Sequence, residues 1–166
     1  MKMPRNDEER YIHYGSSHFE NGRYNIPEDL VYSNKPRGGF WACSCNAVNS
    51  WKKWCIDNDF HRKCDDRVSF YFRIFPIANI LTIATLEDCQ KLPIRCTELM
   101  LKKVIDYKAC LEQGIDAIEY KYDLACESDE FDAIDDVMWG WDCDSILILN
   151  PAIILPYEPV DAEERI

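Results

Sequence analysis

The chain has 166 residues, 47% of them apolar and 13% aromatic, and carries a formal net charge of −11. That length and composition fit a single globular domain able to bury its own core. The acidic balance argues against nucleic acid as a partner, because neutralising phosphates takes a basic surface.

The globular part is expected over 11–157, between a frayed charged stretch at 1–10 and an acidic tail at 158–166. Neither end has the apolar run of a signal peptide or a membrane span, so the expectation is a cytoplasmic protein with no membrane association. Nine cysteines without a secretory segment read as reduced thiols, packed as small hydrophobes. Cys43-x-Cys45 is the one close pair, and neither a histidine nor a second pair follows at zinc spacing, so no metal is expected.

Tyr11-Ile-His-Tyr-Gly-Ser-Ser17 reads as a short strand ended by Gly15, and Phe19 to Asn34 as a loop or short helix over the site mouth. Pro36 and Gly38-Gly39 make a turn before the aromatic strand Phe40-Trp41. Ala47, Val48, Trp51, Trp54 and Cys55 then keep helical spacing, with Ser44 or Asn46 as the expected cap. Val68–Phe75 and Ala78–Ala84 are β-rich, with Pro76 between them. Thr85 with Asp88 forms a capping-box start for a short helix.

Met100, Val104, Tyr107 and Leu111 predict a helix from about Thr97 to Gln113, closed by Gly114. Ile115 to Tyr122 alternates as a strand, and Leu124 to Asp136 reads as acidic loop with a helical turn. Ser145 to Leu149 is a continuous apolar strand stopped by Asn150-Pro151, and Ala152–Leu155 is a last edge strand. The order implies an α+β domain rather than a doubly wound sheet, and no Rossmann or P-loop motif is present.

Two chemical readings stand side by side at this level. Trp41 and Trp51, ten residues apart on consecutive elements, suit a pair of rings around a flat ligand, or else pack as core. His13 is either a ligand hydrogen-bonding group or a satisfied strand histidine. Asp144 is either a chemical acid or a cap before a buried strand.

Three of these pieces, in this order, resemble the signature of the ADP-ribosyltransferase superfamily, in its His-Tyr-Glu branch with diphtheria toxin and the poly(ADP-ribose) polymerases. Tyr11-Ile-His-Tyr-Gly-Ser-Ser17 resembles the opening strand that holds the nicotinamide ribose and carboxamide of NAD⁺. Gly39-Phe-Trp-Ala-Cys-Ser44 resembles the strand whose aromatic residue is joined by a second one on the following helix, here Trp41 and Trp51. Asp142-Cys-Asp-Ser-Ile-Leu-Ile-Leu resembles the late strand led by the catalytic carboxylate, which maps to Asp144.

The pattern departs from the family at three points. Tyr14 stands between His13 and Gly15, so the ligand position falls on His13, the favoured alignment, or on Tyr14 if Gly15-Ser16 is the anchor. Tryptophans stand where tyrosine is usual. Aspartate replaces glutamate, one methylene shorter, which leaves Asp142 or Glu119 as alternative donors of the acid.

The resemblance implies an ADP-ribosyltransferase-like split β-sheet core with short flanking helices. It implies NAD⁺ as substrate, held by Tyr14, Gly15, Ser16, Gly39, Phe40, Trp41 and Trp51, with Asp144 and His13 as the catalytic pair. Lys35 and Arg37 would reach the pyrophosphate. The implied activity is mono-ADP-ribosylation of a protein or other macromolecular acceptor, in the manner of a toxin or effector. The alternative is a module of the same fold that binds NAD⁺, ADP-ribose or a protein partner without catalysis.

Overall fold

A computed structural model describes residues 9–20, 24, 35–36, 38–96 and 103–155. The expected terminal segments therefore lie largely outside the described residues, as does most of the 19–34 loop and Arg37.

Strand β1 spans Tyr11–Tyr14, and β2 spans Phe40–Ser44. Helix α1, Trp51–Asp57, is capped by the Ser50 side chain, which accepts from the Lys53 amide; Ser44 and Asn46, the expected caps, lie upstream in the strand end and turn. Strand β3 is Ser69–Ile74 and β4 is Ile80–Ile83, separated by the turn at Pro76. Helix α2, Leu86–Cys89, begins at the Thr85–Asp88 capping box that the sequence announces.

The predicted helix from Thr97 is corrected where it is described. Lys103–Ile105 is a strand, β6, paired antiparallel with β5 at Ile94–Cys96. The helix, α3, starts only at Tyr107 and runs to Glu112, because the Asp106 side chain accepts from the Ala109 amide and opens it there. Buried Val104 and buried Tyr107 thus belong to two successive elements, and their spacing imitates one helical stripe.

Strand β7, Ala117–Tyr120, is followed by α4 at Tyr122–Cys126 and α5 at Phe131–Val137, so the acidic stretch holds two helices rather than a loop with one turn. Their carboxylates stay largely at the surface while Ala125 and Ile134 are buried. Strand β8 is Ser145–Ile148, and a 3-10 turn leads into the short edge strand β9, Ile154–Leu155.

The class is α+β. Seven strands pair in the order β4-β7-β8-β2-β1-β3-β9, with β4–β7 parallel and the other pairs antiparallel. Because side chains alternate across a strand, each central strand feeds both faces. Ile118, Tyr120 and Leu147 pack with Trp141, Met138 and Tyr107 beneath the β4-to-β7 crossover. Phe40, Tyr11, Phe72, Ile146 and Ile148 build the cluster on the other face. Two-sided burial explains why β8 reads as an unbroken apolar run. Among the described residues no helix is long and apolar enough to cross a membrane.

Candidate active site

The β1–β2 ladder is short: its register ends at Ile12 opposite Cys43. Beyond that pair the Trp41 carbonyl accepts instead from His13 Nδ1 at 2.6 Å, which fixes the proton of the ring on that nitrogen. On the face of Ile12, Tyr14, Trp41 and Cys43 a cleft of about 560 Å³ opens, within the range of small-molecule sites. Trp51 of α1, Trp141, Asp142 and Ser145 before and in β8, and Arg62 and Lys63 of the 61–63 turn complete its walls.

Three of its walls are indoles. Trp41 packs edge-on against Trp141 with centroids 4.6 Å apart. Trp51 stacks on Trp54 at 5.1 Å, and Trp54 in turn on Phe60 at 5.5 Å. The Trp51 Nε1–H donates to the Lys63 carbonyl at 3.3 Å, which ties the helix to the basic turn. The Lys35 ammonium lies over two of these rings, 5.8 Å from the Trp41 centroid and 5.3 Å from the Trp51 centroid. Both distances are within cation–π reach, so the space between the tryptophans accommodates a positive charge.

The cleft brings together Tyr14, Gly15, Lys35, Trp41, Trp51 and Asp142 of the residues singled out in the sequence. It does not include His13. That ring stacks on Phe40 at 4.4 Å and tilts against Phe70 at 5.4 Å, on the opposite face. Strand alternation decides the matter: with Tyr14 on the cleft face, its neighbour points away. Phe40 is fully buried in that far cluster, and Ser16 is buried with its hydroxyl against the His18 carbonyl and the Tyr24 hydroxyl. Gly39 supplies a left-handed turn, φ 71°, just ahead of Phe40 and is not part of the cleft wall.

Asp144 is also placed away from the cleft wall. It is buried, and its Oδ2 accepts from the Asn49 amide at 3.2 Å while Oδ1 accepts from the Asp123 amide at 3.1 Å. It therefore clasps the turn before α1 and the start of α4 to the entrance of β8. Glu119 is likewise engaged, accepting from Lys121 at 2.8 Å and from the Tyr11 hydroxyl at 3.5 Å, a contact on the far face.

The carboxylates at the cleft are Asp65 and Asp142. Asp65 is committed: it holds the Arg67 guanidinium at 2.8 Å and the Arg67 amide at 2.9 Å, and those bonds hold its carboxyl below the ordinary carboxylate value. Asp142 is exposed and makes no hydrogen bond or ion pair among the described residues. The Arg62 and Lys63 side chains are in the same position with positive charge, so the cleft offers both signs to a ligand.

Two cysteines reach the wall, and burial changes what they can do. Cys143 is pushed up to about 12, and Cys43 is raised by burial despite the Trp51 amide that bonds it. Both shifts disfavour the thiolate, the form in which a cysteine acts as a nucleophile. Burial, with Asp66 nearby, drives the Tyr14 hydroxyl well above its ordinary value, so it remains a neutral donor and acceptor. Among the described residues no three His, Cys, Asp or Glu side chains gather to hold a metal ion.

Sequence reasoning passed over Trp141, Arg62 and Lys63 as wall residues. Trp141 carries a usable signal, standing four residues before Ser145, the first residue of the late strand; the basic turn carries none, since exposed lysines and arginines are common. No family model, curated protein or solved structure matches the chain.

Proposed function

We propose that the cleft binds NAD⁺ and that the protein is an NAD-dependent mono-ADP-ribosyltransferase, breaking the nicotinamide–ribose bond and passing ADP-ribose to a macromolecular acceptor, most simply a protein. The observation that carries the reading is the cation held over both Trp41 and Trp51 with an uncommitted carboxylate, Asp142, on the same wall. A nicotinamide ring, flat and positively charged, suits the two indole faces in the sign of its charge. In this reading the finer form of the α+β fold is an ADP-ribosyltransferase-like split sheet, its halves meeting at the short β1–β2 register inside the continuous seven-stranded sheet.

In this reading Trp41 and Trp51 hold the nicotinamide ring, and Tyr14 with the Gly15 backbone binds its carboxamide and ribose. Arg62 and Lys63 face the pyrophosphate charge. Asp142 takes the role first assigned to Asp144: it places negative charge beside the ribose as the glycosidic bond breaks and positive character develops there. His13 acts at one remove, holding the Trp41 backbone through its Nδ1–H.

A second reading has its own support. The carboxylate that the motif aligns as catalytic, Asp144, spends both oxygens on backbone amides, which favours a module that binds NAD⁺ or ADP-ribose without cleaving it.

Calorimetric titration separates either reading from neither. NAD⁺ should bind wild type, and Trp41→Leu and Trp51→Leu should each weaken it about 2- to 30-fold, the loss of one cation–π face. NADH, whose ring is neutral, should bind less tightly than NAD⁺. Equal affinity of wild type and both variants for NAD⁺ would remove the slot from the reading.

A further inference from the structure

We infer that Lys35 is the resident occupant of the slot between Trp41 and Trp51, an internal competitor that an incoming ring cation must displace. The inference rests on the NAD⁺ reading for the identity of the natural ligand, and on geometry for the rest. The Lys35 ammonium lies within cation–π distance of both indoles at once, 5.8 Å and 5.3 Å, whereas the other lysine on the cleft wall, Lys63, makes no such contact among the described residues. Lys35 is exposed to solvent along its chain and lines the cleft itself, with its ammonium brought over the two indoles.

Two cations cannot share one pair of aromatic faces. The slot is therefore occupied in the unliganded protein, and binding exchanges a tethered ammonium for a ring cation. The tether makes the competitor's local concentration high, as for any intramolecular ligand, so the apparent affinity for a small cation falls below that of the bare slot. The chemical class selected follows from the exchange. A neutral aromatic ring gains less from the two indole faces than the ammonium it would have to expel, whereas a planar N-alkylpyridinium regains the cation–π attraction and adds ring stacking. Lys35 in this way makes the slot selective for charged over neutral rings.

The test uses the whole chain and 1-methylnicotinamide, a pyridinium cation that lacks ribose and phosphate, followed by ligand-observed NMR titration. Lys35→Met keeps an apolar side chain and removes the charge, and Lys108→Met removes an equal charge from the exposed face of α3, away from the cleft. Lys35→Met should bind the probe about 3- to 30-fold more tightly than wild type, the release of one competing cation–π contact, with Lys108→Met within about twofold of wild type. The selectivity should fall as well, with Lys35→Met gaining affinity for neutral nicotinamide. Equal probe affinity in wild type and Lys35→Met, or an equal gain in Lys108→Met, would overturn the competitor role while leaving an NAD⁺ site in place. Absence of probe binding in all three proteins, together with absence of NAD⁺ binding, would remove the site and the inference with it.

Discussion

Asp144 and Asn49 hold each other through main chain and side chain at once: the Asp144 amide donates to the Asn49 carbonyl at 2.9 Å, and the Asp144 carboxylate takes the Asn49 amide at 3.2 Å. The other carboxylate oxygen takes the Asp123 amide. The residue with the strongest claim to catalysis in the sequence is thereby the clasp between α1, α4 and β8.

That arrangement predicts a stability effect rather than a purely chemical one. Asp144→Ala leaves two backbone amides without their acceptor and should cost about 2–4 kcal/mol, seen as a lower urea midpoint. Asp142→Ala removes an exposed side chain with no partner among the described residues and should leave the midpoint within about 0.5 kcal/mol of wild type. The reverse pattern would show that the clasp is misassigned.

Asp135 gives a pH-dependent prediction at the neighbouring acidic face. Burial raises its carboxyl above the ordinary 3.8, and the charges of Asp142, Asp136 and Asp132 raise it further. Its native value lies above its unfolded value, so the folded state is relieved when the group is protonated, and the cost of its charge is fully present at neutral pH. Asp135→Asn should therefore raise the denaturation midpoint at pH 7, with the gain shrinking as pH falls through the raised value and gone below the ordinary one. A gain that persists unchanged at pH 3 would point to packing instead of charge.

All nine cysteines are free thiols, and their environments sort them. Cys110 and Cys143 are both pushed up to about 12 by burial, and Cys45, though exposed, to about 11. Iodoacetamide at pH 8 should label the exposed Cys96 and Cys126 first, Cys45 more slowly, and the buried thiols only on unfolding. Early labelling of Cys143 by mass spectrometry would show that the cleft wall opens more than this structure allows.

Much of the sheet was legible because alternation and turn residues agree: β1 ends at Gly15, β3 and β4 flank Pro76, and the Thr85–Asp88 capping box stands where its residues ask for it. The β5–β6 hairpin was hidden because Val104 and Tyr107 keep helical spacing across an element boundary. The site divided along the same line. Trp41 and Trp51 could be placed in one cleft from spacing, but which of His13 and Tyr14 faces it depends on strand phase, set by long-range pairing with β2 and β3. Asp142 and Asp144 are equivalent in sequence chemistry; only their partners, none for one among the described residues and two amides for the other, tell them apart.

The central claim is that this cleft breaks the nicotinamide–ribose bond with Asp142 as its acid, and nicotinamide release tests it most directly. Wild type, Asp142→Ala and Asp144→Asn would be incubated with NAD⁺ and a cell lysate as acceptor, at a temperature where all three are folded. The account predicts release by wild type, a fall of about a hundred- to thousand-fold in Asp142→Ala, and a far smaller loss in Asp144→Asn. Undiminished release by Asp142→Ala, or no release by a wild-type protein that binds NAD⁺, would contradict it.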